Sequence, residues 1–67
     1  MITTEKVMEI VRQGPTIPNE IRMKLGEGDT YVIGAVLSEL TKSGKIKVTS
    51  TKKGGSPFYY IPGNEHQ

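Results

Sequence analysis

The stretch that most constrains the fold runs from Asp29 to Gly44 and reads DTYVIGAVLSELTKSG. Its large apolar residues recur at the spacing of one helical face, and they are Ile33, Val36, Leu37 and Leu40. Asp29 can cap the start, because a carboxylate accepts from the unpaired N–H groups of the first turn. Lys42 suits the negative end of the helix dipole, and Gly44 suits a left-handed residue after the last turn. The pattern predicts a helix over 30–43 with one face in a core.

Two shorter helices are predicted before this one. The first runs from Thr3 or Thr4 to Gln13, with an inner face of Val7, Ile10 and Val11. The second runs from 16 to 25, with Ile21 and Leu25 facing inward, Thr16 or the next residue as its cap, and Pro18 in its first turn. Glu20 precedes Lys24 by four residues, the favourable order for a helical ion pair. A glycine-bearing turn at 26–28 then leads into the third helix, which is a helix-turn-helix signal.

After Gly44 the period of the sequence changes. Residues 45–51 alternate polar and apolar side chains, which predicts a strand with Ile46 and Val48 inward. Residues 52–56 form a predicted glycine-rich turn, and 57–62 form a second strand bounded by prolines. In that strand Phe58 and Tyr60 share one face and 59 and 61 the other; the sequence leaves open which face is buried. The fold class is therefore α+β, with three helices packed on a C-terminal two-stranded hairpin.

The chain has 67 residues, which predicts a single domain over 1–67 with a core at 4–62 and a frayed tail at 63–67. It contains no cysteine, which excludes disulfides and thiolate metal sites. No apolar run is long enough for a bilayer and no signal-peptide pattern begins the chain, so we expect a cytoplasmic protein without a membrane partner. Equally, the chain is short enough to be one domain cut from a longer protein.

No enzyme site assembles from the sequence, and we expect no cofactor and no bound metal. Glu5 and Glu9 share a helix face, which is typical of a solvated surface. His66 is the only histidine and has no partner residues for metal binding or acid–base chemistry. Ser56 has no histidine base nearby. The pair of glycines at 26 and 28 follows a helix, so it is not a phosphate-binding loop.

The charge is uneven although the formal net charge is only +2. Five of the nine basic residues lie between Lys42 and Lys53, and no acid occurs between Glu39 and Glu65. One end of the molecule is therefore predicted to carry a positive field.

The order of elements resembles the winged helix-turn-helix family over residues 4–62. The stretches that carry the resemblance are GPTIPNEIRMKLG, DTYVIGAVLSELTKSGKI and KVTSTKKGGSPFYYIPG. The closing GGSPFYYIPG is similar to the hairpins of small archaeal winged-helix proteins. The resemblance implies a DNA-binding module, as a transcriptional regulator or a chromatin-associated protein, with double-stranded DNA as its partner.

In that family the third helix enters the major groove and the hairpin turn, or wing, touches the backbone or the minor groove. Carried onto this sequence, the implied groove-facing residues are Thr30, Tyr31, Gly34, Ser38 and Lys42. The implied backbone-facing residues are Arg22, Lys24, Lys45, Lys47, Lys52 and Lys53. The groove-facing set has no Arg, Asn or Gln, the residue types that separate bases most sharply.

Other interpretations remain open on the sequence alone. The lysine-rich turn also fits a solubilising edge of a two-stranded ribbon. Tyr31 fits either a ring that stacks on a base or a partly buried ring at the helix start. Tyr59 and Tyr60 suggest a protein-interaction alternative, in which an apolar face docks a partner or a second copy of the chain. The target DNA sequence, an effector and the oligomeric state are not determined by the sequence.

Overall fold

The computed structural model describes residues 1–49 and 57–63. Three helices, α1 (Thr4–Val11), α2 (Pro18–Leu25) and α3 (Thr30–Lys42), precede the strands β1 (Lys47–Val48) and β2 (Tyr59–Tyr60). The strands pair antiparallel, with Lys47 opposite Tyr60 and Val48 opposite Tyr59. The predicted α+β class is confirmed, in a layout consistent with a winged helix. The predicted turn at 52–56 and His66 lie outside the described residues.

Local chemistry sets the helix ends. The Thr3 hydroxyl accepts from the backbone N–H of Lys6 at 3.2 Å, and the Asp29 carboxylate accepts from that of Val32 at 2.9 Å. These two caps start α1 and α3 where the sequence predicts. α2 starts at Pro18, two residues later than predicted, and no side chain caps it. Because its predicted cap residue Thr16 pairs elsewhere, the start of α2 depends on the proline rather than on a hydroxyl.

The core lies between the three helices and Ile46, the residue just before β1. Its buried members are Val7, Ile10, Val11, Ile21, Ile33, Leu37, Leu40 and Ile46. Leu25 and Val36, also predicted inside, pack against this cluster while half-buried. The prediction that Val48 closes the core is wrong, because 41% of its surface is exposed. Val48 lies two residues further along the hairpin than Ile46, and the ring of Tyr59 packs against the core instead.

A short backbone pairing ties the hairpin to the segment before α2. The N–H of Thr16 donates to the carbonyl of Tyr59 at 2.9 Å, and the N–H of Tyr59 donates to the carbonyl of Thr16 at 2.7 Å. Thr16 is only 2% exposed, and its hydroxyl donates to the Glu20 carboxylate. Lys24 donates to the side-chain oxygen of Gln13 at 3.3 Å. The predicted Glu20–Lys24 ion pair is therefore wrong, since both side chains have other partners.

The longest helix, α3, has 13 residues. Within 1–49 and 57–63, no helix combines the length and the apolar character needed to cross a membrane.

Candidate nucleic-acid interface

The outer side of α3 is open along its whole length. Ile33, Leu37 and Leu40 direct one side of the helix into the core. The exposed residues of the helix are Thr30, Tyr31, Val32, Ala35, Ser38, Glu39 and Lys42. Four of them, Tyr31, Ala35, Ser38 and Lys42, follow the spacing of one helical row. We call Tyr31, Val32, Ala35, Ser38, Glu39 and Lys42 the outer face of α3.

The structure places most of the implied groove-facing residues on this side, but not all. Tyr31 is 86% exposed, which rules out the alternative of a partly buried ring. Gly34 is half-buried. Thr41 is also half-buried, and its hydroxyl donates to the carbonyl of Leu37 at 2.7 Å. The open surface is therefore rotated from Gly34 toward Ala35 and Glu39, compared with the predicted surface.

Sequence reasoning missed three residues of the outer face, namely Val32, Ala35 and Glu39. The signal was available, because on a wheel of 100° per residue Ala35 and Glu39 lie roughly opposite the buried row and Val32 lies on its flank. The prediction selected residues by their hydrogen-bonding chemistry rather than by their angle from the core. The consequence is a face with a carboxylate and a large apolar side chain that the prediction lacked.

Gly34 has room for a side chain. A Cβ built there meets no atom within 4 Å outside its own turn of helix, and its backbone has ordinary helical φ. Packing and backbone conformation therefore do not require glycine at this position. Since glycine in a helix interior is destabilising, its presence calls for another reason.

The cations of the described chain fall into two groups. Lys6 pairs with Glu27 at 3.4 Å, and Arg12 pairs with Glu9 at 3.0 Å and Glu5 at 3.3 Å. The remaining Lys and Arg side chains form no ion pair with any described residue, and they are Arg22, Lys24, Lys42, Lys45 and Lys47. These five are the described cations of the implied DNA-binding set. Arg22 donates to Asn19 at 3.1 Å, a contact that keeps its charge.

The acidic side chains near α1 and in the α2–α3 turn form hydrogen bonds and ion pairs with cations of the same chain. Glu27 accepts from the Met1 ammonium at 2.8 Å and from Lys6, and these hydrogen bonds lower the pKa of its carboxyl. The Ile2 side chain lies over Gly28, where an added Cβ would come within 2.0 Å of its Cδ1 atom. This region of the molecule is therefore close to neutral, whereas the end of α3 and β1 keeps its positive charge.

The described part of the hairpin contributes one exposed cation and two exposed apolar side chains, Phe58 (48% exposed) and Val48 (41% exposed). Lys47 is exposed on β1, and the N–H of Thr49 donates to the carbonyl of Phe58 at 2.9 Å beyond the paired residues. Tyr59 packs against the core and Tyr60 is half-buried. Because adjacent strand residues point to opposite faces, the two rings do not form one exposed patch. Lys52 and Lys53 lie outside the described residues.

The described residues offer little for other chemistry. Glu5 and Glu9 both bond to Arg12 on the exposed side of α1, as expected for a solvated face. No group of three or more His, Asp or Glu side chains in residues 1–49 and 57–63 is placed to hold a metal ion.

No protein-family model, curated protein or solved structure matches this chain. Its function is therefore inferred from the geometry and charge of the α3 and hairpin surface.

Proposed function

We propose that this chain is a double-stranded DNA-binding module of the winged helix-turn-helix type, acting in transcription regulation or on chromatin. In this proposal α3 lies in the major groove and the hairpin follows the phosphate backbone. The observation that carries it is the division of charge. Every described cation outside the implied binding set is neutralised by a carboxylate, and every described cation inside it is without an ion pair.

The dimensions of α3 support this arrangement. A helix of 13 residues is about 20 Å long, and the major groove is about 12 Å wide, enough to admit one helix. Tyr31 and Lys42 mark the two ends of the outer face, about 16 Å apart along the axis. Ala35 lies between them, and because it has only a methyl group the side chain at the middle of this row is short. The backbone around Ala35 and Ser38 can therefore approach base edges closely, whereas Val32 and Glu39 project beside this row.

The residue types favour backbone contacts over sharp base readout. Lysine acts as a point charge toward phosphate, and such contacts carry no sequence information. The hydroxyl of Ser38 contacts base edges with little discrimination. Lys52 and Lys53, which lie between the two strands in the sequence, add two further charges to the same end of the chain. The expected binding is therefore strong in low salt and largely tolerant of sequence.

The test is a titration of isotope-labelled protein with a short duplex at two salt concentrations, followed by amide chemical shifts. Shift changes are expected along α3 and at 45–47, and the amides of α1 should move little. The affinity should fall with salt at a log–log slope of about −0.9 for each phosphate neutralised. Absence of binding at low salt, or shifts confined to α1, would contradict the proposal.

A second candidate is a protein partner held by the same helix. It is favoured by one observation, the large apolar side chains on the first turn of α3, where Tyr31 is 86% and Val32 is 42% exposed. The same titration separates the two candidates. If the amide chemical shifts of α3 do not change with duplex DNA but do change with protein concentration, a protein partner or a homodimer is favoured.

A further inference from the structure

Glu39 differs from the other acids of the described chain. Five carboxylates have a partner: Glu5 and Glu9 hold Arg12, Glu20 accepts from Thr16, Glu27 accepts from Lys6 and Met1, and Asp29 caps α3. The Glu39 side chain is exposed and bonds to no described residue, although Lys42 follows it at the spacing of a helical pair. The single unpartnered carboxylate of residues 1–49 and 57–63 therefore lies on the outer face of α3.

The position of Glu39 is unfavourable for a surface that contacts only the phosphate groups of DNA. The cations that follow it in the sequence include Lys45 and Lys47, two of those implied to meet the DNA backbone. A carboxylate beside them repels phosphate oxygens and weakens binding to every sequence. A hydrogen-bond donor on a base would offset that repulsion, because an ionised carboxylate has only acceptor atoms.

The major groove offers few such donors. Guanine presents O6 and N7 and thymine presents O4, all of which are acceptors. Adenine presents its N6 amino group beside the acceptor N7. Cytosine alone presents an amino group, N4, with no acceptor on the same exposed edge. A carboxylate that reaches base edges therefore favours cytosine and is repelled by guanine and thymine.

We propose that Glu39 is the base-selecting residue of this surface, accepting a hydrogen bond from the N4 amino group of one cytosine. This inference rests on the proposed DNA-binding function and makes it more specific. Ala35 lies one turn earlier on the same side of the helix and has only a methyl group, so it leaves the Glu39 side chain free to extend. Lys42 lies one turn later and supplies the neighbouring phosphate contact. The lysines then give affinity, and Glu39 gives preference at one base pair.

The experiment is selection of bound duplexes from a randomised library, followed by sequencing, with the full chain and three variants. The wild-type chain should enrich cytosine at one position by about fivefold or more, the low end of what a good base contact supplies. Glu39→Ala should abolish that enrichment. Glu39→Gln should move it toward adenine, because an amide pairs with the N6 and N7 atoms of adenine. Glu5→Gln removes the same charge on α1, away from the outer face of α3, and should leave the base preference unchanged.

Each other outcome would overturn the inference, and the outcomes separate it from the proposed function. If both Glu39 variants bind all sequences more tightly by one common factor, the carboxylate only repels phosphate. If they bind as the wild type does, Glu39 lies outside the interface. In both cases DNA binding stands and the base-selecting role fails. If the wild-type chain binds no duplex at low salt, the proposed function and this inference fail together. Circular dichroism of each variant checks the fold, which should not change because the Glu39 side chain is exposed and forms no hydrogen bond or ion pair with a described residue.

Discussion

Gly34 shows how one residue separates the needs of the fold from the needs of a surface. It lies inside α3, where glycine costs about 0.5–1 kcal/mol relative to alanine because the unfolded chain loses more freedom on folding. A Cβ at this position has open space and no backbone strain. The fold therefore gains nothing from glycine here, whereas a close approach to a ligand would.

We expect Gly34→Ala to stabilise the protein by about 0.5–1 kcal/mol and to raise its melting temperature by roughly 2–8 °C. If α3 lies against DNA near this position, the same methyl group should weaken duplex binding. Thermal unfolding and fluorescence anisotropy with a labelled duplex measure the two effects on one sample.

Gly44 is the matched control for that change. A Cβ there also meets no atom within 4 Å, but its φ is +82°, a conformation that L-residues avoid. Gly44→Ala should therefore destabilise the protein by about 1–2 kcal/mol. Destabilisation by both substitutions would contradict the claim that Gly34 is free of structural demands.

At the scale of elements, the predictable features are those fixed by nearby residues. The bounds of α3 followed from the Asp29 cap and from Gly44, both of which act within one turn. The extent of α2 was harder to predict, because Thr16 is withdrawn from capping by a backbone pairing with Tyr59, 43 residues further along the chain. No local pattern reveals a contact of that kind.

Two further differences have the same cause. Val48 has the alternation of an inward residue, but its burial depends on how far the helices extend beneath the hairpin. The outer face of α3 depends on the angle at which the helix packs, and the residue types alone suggested a face turned toward Gly34. The candidate site was therefore predicted as a helix and a positive region, whereas its carboxylate was missed because residues were selected by type rather than by their angle from the core.

The two tyrosines of the hairpin differ in their contact with the core, against which Ile61 also packs. Tyr59 packs against the core and bonds to Thr16 through both backbone groups, whereas its neighbour Tyr60 is half-buried and lies opposite Lys47. We expect Tyr59→Ala to cost about 2–3 kcal/mol, less than a fully buried aromatic ring would, and Tyr60→Ala about 1 kcal/mol or less.

Urea unfolding of the two variants measures this difference. Amide hydrogen exchange adds a second readout, because loss of the Tyr59 anchor should speed exchange at Thr16 as well as in the hairpin. Equal costs for the two substitutions would show that the backbone pairing, rather than the ring, holds the hairpin.

For the whole molecule, the decisive property is the division of charge between two regions. The α1 side carries cations held by carboxylates, and the region from Lys42 onward carries cations without such partners. Two double variants with the same change in net charge test whether this division has a function. Lys45→Gln with Lys47→Gln removes two unpaired charges, and Lys6→Gln with Arg12→Gln removes two paired ones.

The salt dependence of duplex binding distinguishes the two variants. Loss of two phosphate contacts should flatten the log–log slope by about 1.8 units and weaken binding to all sequences alike. Loss of the two paired charges should leave the slope nearly unchanged, and it should cost little stability because exposed ion pairs contribute about 0–1 kcal/mol each. Both measurements are made by anisotropy over a series of salt concentrations.

Replacing Lys52 and Lys53 by alanine extends the test to the segment between the strands, where the sequence predicts the wing tip. If these lysines also meet phosphates, their loss should flatten the slope by roughly two units. Equal slopes for all three double variants would mean that DNA responds only to net charge. The α3 and hairpin surface would then have no special role, because a general attraction does not depend on where the charges lie. A slope that flattens only when the unpaired lysines are removed requires a defined surface, and that surface includes the end of α3 and β1, where Lys45 and Lys47 lie.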